Sequence, residues 1–210
     1  MTRLAQTERT ALCDLALQLG ADQPTLCEGW TVHDLVAHLV LRERSPAAVG
    51  IVVPPLAGLT DRAQRRLART DFAVLVERVR TGPPAWSPFA VPAVDAAVNT
   101  LEFLVHHEDV RRAQPSWSPR DRADDAERTV WSALRVPARA LTRSLPVGLT
   151  LEDSVTGSTL TAHEGPQAVV VRGRPSELAL YLYGRRPQAQ VELSGDEAGI
   201  ARLEDASLGL

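Results

Sequence analysis

Glu102 and His106 stand four residues apart in the stretch NTLEFLVHHEDV (99–110), and His38 stands in VAHLV with apolar residues on both sides. On a helix the four-residue spacing puts the carboxylate and the imidazole one turn apart on the same face. Such a pair alone is common on wet helix surfaces, and a lone histidine among apolar residues is commonly a satisfied core group. Together, two imidazoles and a carboxylate projecting from two helices have the pattern by which bundle cores build metal sites. A His/Glu/His set suits zinc with its fourth position open, the catalytic arrangement rather than the closed structural one.

The neighbouring polar residues take other readings. His33 lies about 140° around the helix from His38 and cannot easily share a metal with it. His107 lies about 100° from His106 and is expected at the helix surface or behind a ligand. Asp34 and Asp109 are each placed to orient a ligand imidazole, and Asp34 serves equally as a capping residue. His163 is expected to face solvent, Cys27 to be a buried structural thiol, and Trp30 to be a packing anchor.

These side chains need rigid helices to hold them, and the sequence supplies candidates. Leu4, Ala11, Leu12, Leu15 and Leu19 recur at helical spacing over 2–19, and Gly20 suits the turn that ends the helix. Thr31 followed by Asp34 reads as a capping box opening a second helix that ends near Ser45-Pro46. VVPPLAG reads as a loop, and residues 61–80 as a third helix with Leu67, Val74 and Leu75 inside and Arg62, Arg66 and Arg69 on a solvated side. Four prolines keep TGPPAWSPFAVP (81–92) irregular. A fourth helix is expected over 93–113, and a fifth helical segment, kinked or split by Pro137, over 123–145.

Beyond Pro146 the pattern changes to two strands around a Thr-Gly-Ser turn, a third strand in QAVVV, and a short helix in PSELALYLYG with Ser176 as its cap. A fourth strand in QVELSG and a last helix in DEAGIARLE follow. The expectation is a helical domain over 1–146 followed by a small α+β domain over 147–210.

Composition narrows the classes of function. The chain has 210 residues, 44% hydrophobic and 23% charged, with a formal charge of −3. It therefore lacks the basic footprint of a nucleic-acid binder. All 23 basic residues are arginine. Two cysteines make no disulfide framework. No signal-peptide core or membrane-length apolar run is evident, which predicts a cytoplasmic protein without a membrane partner.

LCEGWTVHDLVAHLVLRE, followed some sixty residues later by NTLEFLVHHEDVRRA, resembles the metal-binding domain of the mycothiol-dependent maleylpyruvate isomerase family, within the DinB-like four-helix-bundle superfamily. The tail containing GRPSELALYLYGR resembles that family's small sterol-carrier-like domain. The resemblance implies a mainly α chain, a DinB-like up-down bundle followed by a sterol-carrier-like α+β domain. It also implies a divalent metal, zinc, on His38, Glu102 and His106, with mycothiol as the cofactor. Arg185 and Arg186 are the candidates for cofactor contact. A metal-activated thiolate would then attack an electrophilic small molecule, in isomerisation or S-transfer. A non-catalytic metal-binding or regulatory protein and a metal-dependent hydrolase use the same ligands and stay open, as do the substrate and the oligomeric state.

Overall fold

The computed structural model describes residues 3–51, 53–87, 90 and 92–208. Two compact units divide the chain, Met1–Ser118 and Pro119–Leu210. Described residues of the first form α1 (Arg3–Leu19), α2 (Val32–Arg44), α3 (Ala57–Leu67), α4 (Phe72–Arg80) and α5 (Pro92–Arg112), with short 3-10 turns at Pro46–Ile51 and Pro54–Leu56. Their apolar stripes meet in one core. Leu12 and Ala16 from α1, Leu35, Val36 and Leu39 from α2, Leu75 and Val79 from α4, and Phe103 and Val110 from α5 are all fully buried there. Each such leucine or phenylalanine contributes about 1.5–3 kcal/mol by leaving water.

The expected helix over 61–80 is two helices. Leu67 ends the first, and Asp71 accepts the Val74 N–H at 3.2 Å to start α4 afresh. The break rotates the second half, so Val74 is 44% exposed while Leu75 is buried. Part of the VVPPLAG stretch is 3-10 turn, and α3 begins at Ala57. In the irregular 81–92 segment, Pro88, Phe89 and Val91 lie outside the described residues.

The second unit contains α6 (Asp124–Leu134), α7 (Pro137–Leu141), β1 (Leu149–Asp153), β2 (Thr159–His163), β3 (Val169–Gly173), α8 (Pro175–Leu182), β4 (Val191–Ser194) and α9 (Glu197–Asp205). The expected boundary at 146–147 therefore moves to 118–119: helices α6 and α7 belong with the sheet, α6 packing on α8 and α7 meeting β2. The helical segment does split at Pro137, which opens α7.

The sheet runs β2-β1-β3-β4 and is mixed: β1 is antiparallel to β2 and parallel to β3, and β3 is antiparallel to β4. Leu149, Leu151, Val169 and Val171 form its buried face. On the other face Arg172 bridges its cross-strand partners, Nε 3.0 Å from Glu152 and Nη1 3.2 Å from Glu192. Pro175 opens α8, so its cap residue is Arg174 rather than Ser176. Ser176 instead gives its N–H and its hydroxyl to the two oxygens of Glu127 on α6, both at 2.8 Å.

Candidate metal centre

The loop before α2 and the capping box at its start fix the phase of that helix. Thr31 Oγ1 accepts the Asp34 N–H at 3.3 Å, and Asp34 Oδ2 accepts the Thr31 N–H at 3.0 Å. Of the two roles open to Asp34, capping is the one its contacts fill. With the apolar stripe of α2 turned to the core, His38 falls at the edge of that stripe, its side chain 15% exposed. The ring of Trp30 packs against it, centroids 5.1 Å apart. Trp30 is thus an anchor for a site residue.

On α5, Glu102 and His106 share one face as their spacing predicts, 17% and 12% exposed. Glu102 Oε1 lies 3.3 Å from His106 Nε2 and 3.7 Å from His38 Nε2. The ligand atoms of all three residues fall within 4.8 Å of one another. For ligand bonds of about 2.0–2.1 Å, adjacent corners of a tetrahedron are about 3.3–3.4 Å apart. The donor set and its spacing fit a small divalent ion with little movement.

Behind His106, Asp109 is fully buried and its Oδ2 lies 2.9 Å from His106 Nδ1. A proton held on Nδ1 leaves the Nε2 lone pair directed at Glu102 and His38, the arrangement in which a carboxylate orients a metal-binding imidazole. The Cys27 thiol donates to the same Asp109 oxygen at 3.2 Å, and the Leu26 N–H to the Asp109 carbonyl at 3.0 Å. Cys27 is half-buried and joined to a site residue, where the sequence predicted a buried structural thiol. Cys13 is the inert one: burial pushes its thiol up to about 11.

Electrostatics separate the two imidazoles. Burial depresses His38 below the usual histidine range, which favours the neutral, ligating form. Burial acts the same way on His106, but the Asp109, Cys27 and Glu102 contacts overcome it and hold the ring well above that range. Glu102 would be raised by burial, yet Arg42 and the two histidines hold it well below the ordinary carboxylate range. A cation entering here displaces a proton from His106.

Arg42 was not singled out from the sequence. It sits one turn past His38 with Nε 3.2 Å from Glu102 Oε1 and Nη1 2.5 Å from Asn99 Oδ1. The i, i+4 spacing from His38 was the available signal.

The other candidates lie elsewhere. His33 Nε2 donates to the Thr70 carbonyl at 3.2 Å and its ring edge meets Phe72. His107 is neither at the surface nor behind a ligand: it is 5% exposed and donates from Nδ1 to Glu8 on α1 at 2.7 Å. His163, half-buried, ends β2 in the second unit. Arg185 and Arg186 are also in that unit, on the turn after α8. Arg185 donates to the Tyr183 carbonyl, and Arg186 to the Glu204 carbonyl at 3.1 Å while lying over the Tyr181 ring.

The fold and the three converging ligand-type side chains define a helical bundle with a candidate metal centre, followed by a small mixed α/β unit. No protein-family model and no curated protein matches the sequence. Among solved structures, the crystal structure of the mycothiol-dependent maleylpyruvate isomerase matches with a TM-score of 0.60, and that of a histidine-to-alanine mutant of the isomerase with 0.63. Each is 18% identical and covers 93% of this chain and 91% of that chain. The chain has the fold of that isomerase over nearly its whole length. Among the described residues, no helix is long and apolar enough to cross a membrane.

Proposed function

We propose that this chain is a thiol-dependent isomerase or S-transferase of the DinB-like bundle type, in which His38, Glu102 and His106 hold one divalent ion, zinc. The thiol is mycothiol and the substrate an electrophilic small molecule. The convergence of the three side chains, in a fold shared with a mycothiol-dependent isomerase, carries this reading. When bound, the ion supplies a Lewis-acidic open position that favours a thiol in its thiolate form.

The residues of the chain do the rest. Asp109 fixes the His106 tautomer so that Nε2 faces the centre. Burial and the Trp30 ring keep His38 neutral and in place. Arg42 keeps Glu102 ionised. From the family resemblance we carry Arg185 and Arg186 as the candidates for cofactor contact, and read the small unit as the sterol-carrier-like domain. Cys13 and Cys27 are both free thiols, in keeping with action in the reducing cytoplasm.

Metal analysis of the purified chain tests the reading. One divalent ion per chain is expected, lost for the most part in His38→Ala, Glu102→Ala and His106→Ala and retained in His33→Ala and His163→Ala. Full occupancy in His106→Ala would overturn the ligand set. Calorimetry with mycothiol, in buffers of different ionisation enthalpy, should show binding with proton release. No binding at about millimolar thiol to the metal-loaded chain, far above the useful affinity range, would favour the hydrolase or the non-catalytic reading.

A further inference from the structure

Arg42 and His38 are four apart on α2 and leave it on the same face. The Arg42 side chain is only 7% exposed, and its Nε sits 3.2 Å from the same Glu102 oxygen that faces both imidazoles. Asn99 Oδ1 accepts from its Nη1 and holds the guanidinium on that line. A guanidinium stays charged at any pH the protein tolerates, so this positive charge is permanent. Buried this far, it is only weakly screened by salt.

Such a group works against a site whose sole task is to retain a cation, since it competes for the one carboxylate of the trio. A divalent ion with two neutral imidazoles and one carboxylate has a net charge of about +1, which Arg42 raises to about +2. The charge favours whatever negative ligand completes the coordination sphere.

We infer that Arg42 is a positioning residue that fixes Glu102 and offsets its charge, so that the open position selects anionic ligands over neutral ones at the expense of metal affinity. The ligand class this defines is small thiolates and comparable monoanions. The inference rests on the metal reading proposed above.

The test uses the full chain loaded with cobalt(II), with thiocyanate as a monoanion that needs no deprotonation and 1-methylimidazole as a neutral competitor. Ligand binding is followed by the visible cobalt spectrum, and metal affinity by chelator competition. In Arg42→Gln, which keeps a hydrogen-bond donor without the charge, thiocyanate should bind about tenfold more weakly, the effect of a unit charge roughly 6 Å away at an intermediate effective dielectric. Cobalt should bind as tightly as in the wild type or more tightly. Arg42→Lys, which restores the charge, should keep thiocyanate affinity within about threefold.

Opposite changes in anion and metal affinity separate this role from structural damage, which weakens both. A parallel loss of both in Arg42→Gln, or unchanged thiocyanate affinity, overturns the inference while leaving the metal reading intact. A wild-type chain that takes up no cobalt overturns both. Independently of any variant, the loaded wild type should prefer thiocyanate to 1-methylimidazole, and the reverse preference overturns the inference.

Discussion

Replacing Asp109 with Asn changes one atom and removes one charge, yet it should cost metal affinity in a pH-dependent way. Asp109 Oδ2 accepts from His106 Nδ1 at 2.9 Å and from Cys27 at 3.2 Å, and the residue is fully buried. An asparagine can present its amide N–H to Nδ1 and so stabilise the wrong tautomer, with the proton on Nε2. Loss of such an orienting carboxylate lowers metal affinity about 10–100-fold, or roughly 1.4–2.8 kcal/mol. A second effect opposes it. Asp109 is among the contacts that raise His106, so the wild-type chain must give up a bound proton to load its ion.

Below the raised pKa of His106 this proton competition weakens the wild type and narrows the difference; above it the full deficit of the variant appears. Stability follows the same group: a raised His106 stabilises the metal-free fold below the unfolded-state pKa, and that contribution is lost as pH rises through the folded-state value. Asp109→Asn should flatten this dependence. Chelator competition at a low and a high pH, chosen on either side of the His106 titration as followed by NMR in the metal-free chain, measures both effects. Equal metal affinity for variant and wild type at the higher pH would refute the orienting role.

Two stability predictions concern buried charges away from the centre. Arg9, 2% exposed, donates to both oxygens of Glu43 at 2.8 and 2.5 Å, and Glu43→Gln leaves that guanidinium without its counter-charge. Unfolding by denaturant should show a loss of about 3–5 kcal/mol in the helical unit; a loss below about 1 kcal/mol, typical of an exposed pair, would contradict the buried pairing. Glu127→Gln weakens the double acceptance from Ser176 and should cost about 1–3 kcal/mol, read as faster amide exchange across α8 and β3. Unchanged exchange there would show that Glu127 does not anchor α8.

The elements near the site were legible because their signals are local. Thr31 and Asp34 announce the start of α2, and four-residue spacing alone puts Glu102 and His106 on one face. What escaped the sequence depended on partners distant along the chain. Apolar period shows which face of a helix is buried but not against what, so α6 and α7 read as more of the bundle although they pack in the second unit. His107 has the type and spacing of a surface histidine, and its burial comes from Glu8, 99 positions away. The break between α3 and α4 did leave a local mark: Thr70-Asp71 ahead of an apolar run is a helix-start signal. Leu67 and Leu75, in phase across the break, obscured it.

The polar residues of α5 resolve into separate ties, and their directions explain why one helix carries so many. Glu102 and His106 face α2 through His38 and Arg42; His107 reaches Glu8 on α1; Glu108 pairs with Arg112 at 2.6 Å within the helix itself. Arg9 then joins α1 to Glu43 on α2 and to the Val79 carbonyl on α4, its guanidinium lying 4.1 Å above the Phe103 ring of α5. Apolar burial is non-directional and tolerates a helix sliding by a turn. Buried hydrogen-bonded charges do not, because each partner left behind costs several kcal/mol. A metal site tolerates still less, needing its ligands within about half an ångström. The ties from α1 and α2 onto α5 thus set the register that the three ligand-type side chains require, and the charges that look misplaced in an apolar helix are the means by which that helix is held in register.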